Sequence, residues 1–476
     1  MACVGTPSVQ GAAGTAPRPA AAWTPPAAVA ARNAADTQSA TIALPPDLAQ
    51  RAKQLTLEEL IDIGLRNNSA TQQSWAEARV AAAALGSARG EWLPTIDADV
   101  TATRLKTTAS QGRSAVTQSV LAPSVSISWL LLDFGGRNGR VSSAREQLVA
   151  ADFSHNATLQ SAVLQIEVGY FQYVATRALL EAQETSLEEA QANLDAAEER
   201  RRVGLATIAD VLQARTALSQ TQLTKQSTEG TLATTRGALA LALGLPANIP
   251  YDVDTTAAEV PVAVLADSVD ALIDAAVAGR PDLAAARADA AAASARIGDA
   301  RSALLPELRL NASGGRTYAT NIPAGSNNYT VSVGLSIPLF SGFSRRYDLQ
   351  GAQYAADAAR ARTTILRQQV VFEVFSSYYT LQTATRRVHT ADDLLASAEQ
   401  STEVALARYK EGVGTVLDLL AAQSALADAR AQRIQARLEW NVSLAQLAHD
   451  AGLLDSKGGS TIKLTPDTTS TAPGND

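Results

Sequence analysis

The side chains that most often carry catalysis or bind metals are few and scattered in this chain of 476 residues. The three histidines, His155, His389 and His449, stand singly in helical stretches, and no two of them have the spacing of metal ligands. No glycine-rich phosphate loop follows a buried parallel strand, and the serines of the strand segments have no neighbouring base. The sequence therefore predicts no enzyme, no cofactor and no metal site.

The single cysteine, Cys3, excludes an internal disulfide and a cysteine-based metal cluster. Its place near the N-terminus is that of the lipid-bearing cysteine of a processed bacterial lipoprotein, although the upstream apolar signal region is missing. Cys3 is thus a candidate for lipidation, with an incidental cysteine as the alternative. Residues 1–46 are rich in Ala, Pro and Thr and are expected to form a disordered leader.

Two aspartates occupy equivalent places in the chain. Asp210 follows Gly204 by six residues, and Asp418 follows Gly412 by six residues. An acidic side chain in the first turn of a helix is favoured by the helix dipole and by capping, so either aspartate alone indicates a helix start. Their recurrence at equivalent positions makes a functional role for Asp418 about as good an interpretation as a helix start.

Two very long helices must position these turns. The segments from Gly136 to Arg202 and from Ser344 to Glu411 contain no proline and are rich in Ala, Leu, Glu, Gln and Arg. One helix of that length spans about 100 Å. Returning helices are predicted from about Thr207 to Leu243 and from about Thr415 to Ala451, so that each long helix becomes half of an antiparallel hairpin.

Before each long helix, the polar pattern changes to strict alternation. Four segments, beginning near Thr95, Ser124, Leu308 and Tyr329, have this pattern, which predicts strands with one polar and one apolar face. Polar loops are expected at 107–118 and around 321–327. Four such strands are too few to close a barrel, so the chain is predicted to be an obligate oligomer, of two or three copies. The alternative is a pair of amphipathic hairpins lying on a soluble helical body.

The second half of the chain repeats the first. Leu60-Ile61-Asp62 recurs as Leu272-Ile273-Asp274, and Leu93-Pro94 recurs as Leu305-Pro306, each 212 residues later. The formal net charge of −7 argues against a nucleic-acid partner, because phosphate binding needs a basic face. The predicted divisions are a first repeat at 47–246, a linker at 247–267, a second repeat at 268–454 and a disordered tail at 455–476.

Taken together, these features resemble the bacterial outer-membrane efflux protein family, the TolC/OprM-like channels of tripartite export systems. The resemblance covers about residues 55–454 and depends on the doubled plan, on Gly279-Arg280-Pro281-Asp282-Leu283, and on the turn Val203-Gly204-Leu205. It implies a mostly helical chain with membrane β-structure. Three copies would form a 12-stranded β-barrel, with four strands from each chain, continued by a 12-helix periplasmic α-barrel of long antiparallel coiled-coil hairpins.

The function implied by the resemblance is passive conduction across the cell outer membrane, with a long periplasmic extension. The cargo would belong to drug or metal efflux or to type I protein secretion. The implied partners are two further copies of the chain, a periplasmic adaptor protein, an inner-membrane transporter and outer-membrane lipid. A non-conducting structural coiled-coil protein of the cell envelope is the alternative.

The resemblance also assigns roles to residues near the two helical turns. Asp418 matches an acidic ring at the narrowest point, and Asp210 and Tyr409 match a pair that holds the closed state. Gly414 stands where an arginine is expected, so this contact should be weaker or built differently, with Arg201 or Arg202 as a substitute. The implied adaptor-docking tips are Val203, Gly204, Leu205, Gly412, Val413 and Gly414.

Overall fold

A computed structural model describes residues 55–107, 116–255, 263–265, 267–320, 322–454 and 464–466. Cys3, the expected leader at 1–46 and most of the first expected loop lie outside the described residues. The elements of the first half are α1 (Leu57–Asn67), α2 (Ser69–Gly90), β1 (Thr95–Thr107), β2 (Val116–Leu132), α3 (Gly136–Arg202) and α4 (Ile208–Ala242). Those that follow are β3 (Ala263–Leu265), α5 (Val269–Gly279), α6 (Pro281–Ser302), β4 (Glu307–Ala319), β5 (Ile322–Ser336), α7 (Ser344–Lys410), α8 (Val416–Asp450) and β6 (Leu464–Pro466).

The two long helices, α3 and α7, form the length of the molecule, as predicted. Along α3, the seam of Ala190, Leu194 and Ala197 packs against Val211 and its neighbours in α4. These positions follow the three- and four-residue spacing of a coiled coil, and the alanines allow close approach of the two backbones. The same packing recurs between α7 and α8, where Ala398, Leu426 and Ala429 are buried together.

The helices pack side by side, with α3 and α7 running through two successive groups of four. Next to the sheet, the contact order is α2, α3, α6 and α7. Towards the hairpin turns, the contact order is α4, α3, α8 and α7. In both groups α7 is an edge helix, whereas α3, α6 and α8 are central because each has a neighbour on both sides.

The main hydrophobic core lies where these two groups meet. Residues of α1, α5 and the segment 246–255 pack there against the long helices, and the largest buried side chains include Tyr170, Ile166 and Trp440. The hydroxyl of Tyr170 donates to the backbone oxygen of Asp254, and the guanidinium of Arg177 bonds the Asp252 carboxylate at 3.0 Å. The segment 246–255 is therefore fixed across one face of α3.

The two halves have the same element order, and each is closed by a similar junction. The Asn68 side chain donates to the backbone oxygen of Ala242 at 3.4 Å, and the Arg280 side chain donates to that of Asp450 at 3.3 Å. Arg280 also bonds Asp282 and Glu373, both at 2.6 Å. Each junction thus uses a side chain at the start of a helix to bond the carboxyl end of a returning helix.

The strands form one antiparallel sheet in the order β1, β2, β4, β5. It extends further than the alternating pattern predicted, because β2 already begins at Val116 and β5 at Ile322. Most of the second expected loop is therefore strand. Gly325, with a φ of +66°, accommodates an irregular stretch of pairing that ends with Ala319 opposite Ile322.

The expected disordered tail also differs from the structure at three residues. Leu464–Pro466 forms β6, which pairs antiparallel with β3, Ala263–Leu265, of the expected linker. A sequence pattern of three residues is too short to predict such a strand, because it is stabilised by its distant partner. The other tail residues lie outside the described residues.

Candidate functional site: the hairpin tips and the two-faced sheet

The two hairpin tips are built alike. Each long helix ends in a glycine with left-handed backbone, Gly204 with a φ of +81° and Gly412 with a φ of +78°. The amide of Leu205 donates to the backbone oxygen of Arg200, and the amide of Val413 donates to that of Arg408. These hydrogen bonds satisfy backbone carbonyl oxygens at the helix ends, and the turns that make them require a residue that tolerates positive φ. They leave Val203, Leu205 and Val413 exposed.

Both predicted aspartates lie directly after the tips, and both cap a helix. The amide of Asp210 donates to the Thr207 hydroxyl, and the Asp210 carboxylate accepts from the Thr207 amide at 2.7 Å. Asp418 and Thr415 repeat this arrangement, with the Thr415 hydroxyl 2.7 Å from the Asp418 carboxylate. The helix-start interpretation of both residues is therefore confirmed. It is compatible with a further role for the same carboxylates.

The capping bonds keep the Asp418 carboxylate charged. The hydrogen bond from the Thr415 hydroxyl, followed by that from the Thr415 amide, lowers the pKa of Asp418 below its ordinary value. The Asp418 carboxyl is fully exposed in the single chain. At neutral pH each copy of the chain thus presents the negative charge of Asp418 at this tip.

The closed-state pair that the resemblance implied, Asp210 with Tyr409, makes no hydrogen bond within the described chain. Tyr409 is buried beside Val416 and Leu419, and its hydroxyl has no partner among the described residues. The guanidinium of Arg200 lies 4.6 Å from the centre of the Tyr409 ring, and its Nη1 donates to the Tyr409 backbone oxygen at 2.6 Å. Arg200 therefore joins the two hairpin tips.

Arg200, rather than the expected Arg201 or Arg202, makes this contact, and Arg202 bonds Glu199 within its own turn. The three arginines are consecutive at the end of α3, and a shift of one residue turns a side chain by about 100° around the helix. Only the packing of α3 against the tip of α7 distinguishes Arg200 from its neighbours.

The register of the sheet aligns the polar and apolar residues across all four strands. Ile96, Ile127, Ala312 and Val331 form one transverse row, in which each residue pairs with the next. Asp97, Ser126, Ser313 and Thr330 form the adjacent row on the opposite face. The predicted two-faced strands thus combine into one sheet with a continuous apolar face and a continuous polar face. The apolar side chains of Ile96, Ile127 and Val331 are exposed in the single chain.

Large exposed apolar side chains are concentrated on the edge helices. On α7, five of them recur at spacings of 7 or 11 residues, which places these five on one face: Tyr347, Tyr354, Ile365, Phe372 and Tyr379. The edge helix α2 exposes Trp75 and Val80, and α4 exposes Leu223 and Leu241. Among the central helices, α3 exposes only Phe153, at 36%, and α8 only Leu417, near its tip. The exposed set on α7 is Tyr347, Tyr354, Ile365, Phe372, Phe375, Tyr379, Leu394 and Val404.

Other kinds of site have no counterpart in the part of the chain that the structure describes. No group of three or more His, Cys, Asp or Glu side chains there is arranged to hold a metal ion. None of the described helices combines the length and the hydropathy needed to cross a lipid bilayer.

A family profile and curated relatives both match most of the length of the chain. The profile of the outer membrane efflux protein family matches residues 60–245 and 272–453. Protein CyaE of Bordetella pertussis is 30% identical over 424 residues, which are 88% of each chain. The pyoverdine export outer membrane protein OpmQ of Pseudomonas putida is 28% identical over 419 residues, covering 85% of this chain and 86% of that protein.

Solved structures with the same fold include a channel and a further outer membrane protein. The outer-membrane channel OprN has a TM-score of 0.75 at 21% identity, over 85% of this chain and 90% of its own. The outer membrane protein VceC of Vibrio cholerae has a TM-score of 0.72 at 20% identity, over 83% of this chain and 96% of its own.

Proposed function

Because the chain belongs to the outer membrane efflux protein family, we propose that three copies of it form the exit duct of a tripartite export system. The protein is an outer-membrane efflux component with a periplasmic extension, and it is not an enzyme. A periplasmic adaptor and an inner-membrane transporter would deliver the cargo. The names of its relatives range from pyoverdine export to toluene efflux, so the cargo class stays open.

The observation that carries the proposed assembly is the agreement of three sets of edges. The edge strands of the sheet are β1 and β5. The edge helices are α2 and α7 in the group next to the sheet, and α4 and α7 in the group next to the tips. If β5 of one copy pairs with β1 of the next copy, the apolar face of α7 of the first copy meets α2 and α4 of the next copy. A single rotational symmetry between copies can therefore pair the strand edges and cover the exposed apolar side chains together.

Closure by three copies gives twelve strands and, in each of the two groups, twelve helices. The continuous apolar face of the sheet would then contact lipid, and the polar face would line the conduit. The same element order in both halves, with the two separate matches to the family profile, supports an internally duplicated chain with repeats at about 47–246 and 268–454. The linker at 247–267 and the tail at 455–476 complete this proposed division.

At the other end, the hairpin tips are the proposed gate and docking region. Three copies of Asp418 would form a ring of carboxylates, which attracts cations in a confined mouth. The Arg200 contact to Tyr409 would hold the two tips of each chain together, and Asp210 lies on the tip beside it. The exposed Val203, Leu205 and Val413, with Gly204, Gly412 and Gly414, would contact the adaptor. Lipidation of Cys3 is proposed as an additional membrane anchor.

The duct is tested by conductance. The full-length protein, purified in detergent, should form trimers by native mass spectrometry and should open ion-conducting pores when added to planar lipid bilayers. A water-soluble chain that gives no conductance would instead support the structural coiled-coil alternative.

The carboxylate ring is tested in the same bilayers. Replacement Asp418→Asn keeps the capping oxygen but removes three charges from the assembled mouth, so the ratio of cation to anion permeability should fall several-fold. Asp152→Asn, at an exposed position near the sheet end of α3, should leave the permeability ratio unchanged. An unaltered ratio in Asp418→Asn would remove Asp418 from the proposed gate.

A further inference from the structure

The apolar face of the sheet becomes basic at the end where loops connect the strands, which we call the loop end. Along β1, the alternate residues from Ile96 to Ala102 are apolar, and the next two on that face are Arg104 and Lys106. The same alternation along β4 places Arg316 on this face. All three basic side chains are exposed in the single chain.

The loop end contains basic residues but no acidic ones. The sequence has no Asp or Glu between Asp99 and Asp133, a stretch that includes the connecting residues 108–115, and none between Glu307 and Asp348. In the proposed closure β1 lies next to β5 of the next copy, and β5 also has no acidic residue. The loop end is thus positively charged in a chain whose formal net charge is −7, so its charge suits an anionic ligand.

The height of the basic residues matches the level of lipid headgroups. On β4 this face of the sheet runs from Leu308 to Thr320, twelve residues later, and Thr320 bonds Ser119, which pairs with Arg104. Twelve residues span about 40 Å of strand, or about 30 Å of height at the tilt of a membrane barrel, whose apolar band is about 25 Å tall. Because lipid covers this face in the proposed duct, on which this inference rests, Arg104 and Lys106 would lie just beyond the hydrocarbon.

A groove on the same face combines apolar surface with these charges. It has a volume of about 440 Å³, and its lining includes the row of paired residues Ala102, Leu121 and Tyr318. Arg104, which also lines the groove, is two residues further towards the loop end on β1. Arg316 is two residues to the other side on β4, and its guanidinium lies 5.2 Å from the centre of the Tyr318 ring. The groove thus has an apolar floor between two rows that each carry a guanidinium.

The combination of charge and apolar surface selects the ligand class. An arginine can bond two oxygens of one phosphate, and basic side chains at headgroup level attract anionic lipids. A free phosphate ion would use the cations alone, whereas a lipid would also contact the apolar floor of the groove. We propose that the loop end binds phosphorylated lipid headgroups through Arg104, Lys106 and Arg316, with the adjoining part of the lipid in the groove beside Tyr318.

Binding is tested with two lipids that share their acyl chains. Native mass spectrometry of the full-length protein in detergent should show that dioleoyl phosphatidic acid binds at least tenfold more tightly than dioleoyl phosphatidylcholine, whose phosphate is paired with a choline cation. Inorganic phosphate at the concentration of the lipid should not displace phosphatidic acid, because the ion has no apolar part. Equal binding of the two lipids, or displacement by inorganic phosphate, would overturn the proposal.

Matched variants locate the site. The double replacement of Arg104→Gln and Lys106→Gln should weaken the binding of phosphatidic acid at least fivefold and leave that of phosphatidylcholine unchanged. Arg309→Gln should change the binding of either lipid less than twofold, because Arg309 lies on the polar face near the helices, 3.7 Å from Glu307. An equal loss in Arg309→Gln would contradict the assignment to the loop end.

A single added lysine tests which face of the sheet is used. Thr117 pairs with Lys106 and shares its face, whereas Gln118 pairs with Leu105 on the polar face. Added to the double variant, Thr117→Lys should restore most of the binding of phosphatidic acid, and Gln118→Lys should restore none. Restoration by both lysines, or by neither, would count against the proposal.

Failure of the headgroup site and failure of the proposed duct give different results. The double variant changes no residue that lines the proposed conduit, so it should form trimers that conduct as the native protein does. Native trimers that conduct but bind both lipids equally would overturn the headgroup site alone. A native protein that forms neither trimers nor pores would overturn the duct.

Discussion

At the scale of single residues, Arg200 makes the contact that joins the two hairpin tips of one chain. Its guanidinium covers the Tyr409 ring and bonds the Tyr409 backbone oxygen, so it combines a cation–π contact with a charge-assisted hydrogen bond. The Asp210 carboxylate is engaged by Thr207 instead. At their tips, the two hairpins of one chain are thus joined by a cation and an aromatic ring.

Replacement Arg200→Gln should loosen this contact between the tips. If the tips hold the conduit closed, the variant should conduct several-fold more current in planar bilayers than the native protein does. Arg202→Gln is the matched control, because Arg202 bonds only Glu199 in its own turn. An increase in both variants would point to the loss of positive charge rather than of the contact.

Glu167 provides a second prediction at this scale, because its carboxyl is buried in α3 at 5% exposure. Burial raises the pKa of Glu167 from 4.5 to about 7. Between these values the carboxyl ionises in the unfolded chain but stays protonated in the folded chain, so the free energy of unfolding should fall as the pH rises through this range. Above about pH 7 this contribution should be constant.

The variant Glu167→Gln should remove this part of the pH dependence and should stabilise the protein at pH 7.5 by roughly 1–3 kcal/mol. The measurement is unfolding monitored by circular dichroism at several pH values between 4 and 8. Glu188→Gln, at an exposed position of the same helix, should have the native pH dependence. If Glu167→Gln also shows the native pH dependence, the buried carboxyl is not the source of that dependence.

At the scale of elements, the glycine that follows a helix decides how closely another helix can pack against that helix end. Gly244, just after α4, has a φ of +69°, and a Cβ placed there would lie 2.6 Å from the backbone oxygen of Asn67. Gly204, at the tip, has a φ of +81° but no atom within 4 Å of the same position. The first glycine therefore allows both a turn and a close approach of α1 to α4, whereas the second allows only a turn.

Replacement of either glycine by alanine should destabilise the protein by about 1–2 kcal/mol through the left-handed backbone. Gly244→Ala should have a larger effect than Gly204→Ala, because its Cβ also collides with backbone atoms that cannot move independently. Thermal unfolding of the two variants, compared at one pH, measures the difference. Equal losses would mean that the junction of α1 and α4 relaxes easily.

At the scale of the whole molecule, the single chain is incomplete. Its sheet has two open edges and an apolar face exposed to solvent, and its edge helices expose many more large apolar side chains than its central helices do. Exposed apolar area of this extent normally marks an interface or a membrane surface. Both are supplied in the proposed trimer, where lipid covers the sheet and neighbouring copies cover α2, α4 and α7.

The interface can be tested by comparing two phenylalanines. Phe372→Glu, on the exposed face of the edge helix α7, should shift the purified protein from trimer towards monomer, because it buries a charge between copies. Phe153→Glu, on the central helix α3, should have a much smaller effect on assembly. Native mass spectrometry in detergent measures both. A stable trimer of Phe372→Glu would show that this face of α7 is not an interface.

The sequence by itself determined the long helices, their turns and the four two-faced strands, because periods, prolines and caps are local properties. The bounds of α3, the capping role of Asp210, and the two-faced strands all follow from residues close together in the chain. Only the tertiary structure decided that Arg200 rather than Arg202 meets Tyr409 and that most of the large exposed apolar side chains of the helices lie on edge helices. These facts depend on how distant helices rotate against one another, and packing fixes that rotation across separations of some two hundred residues in the chain.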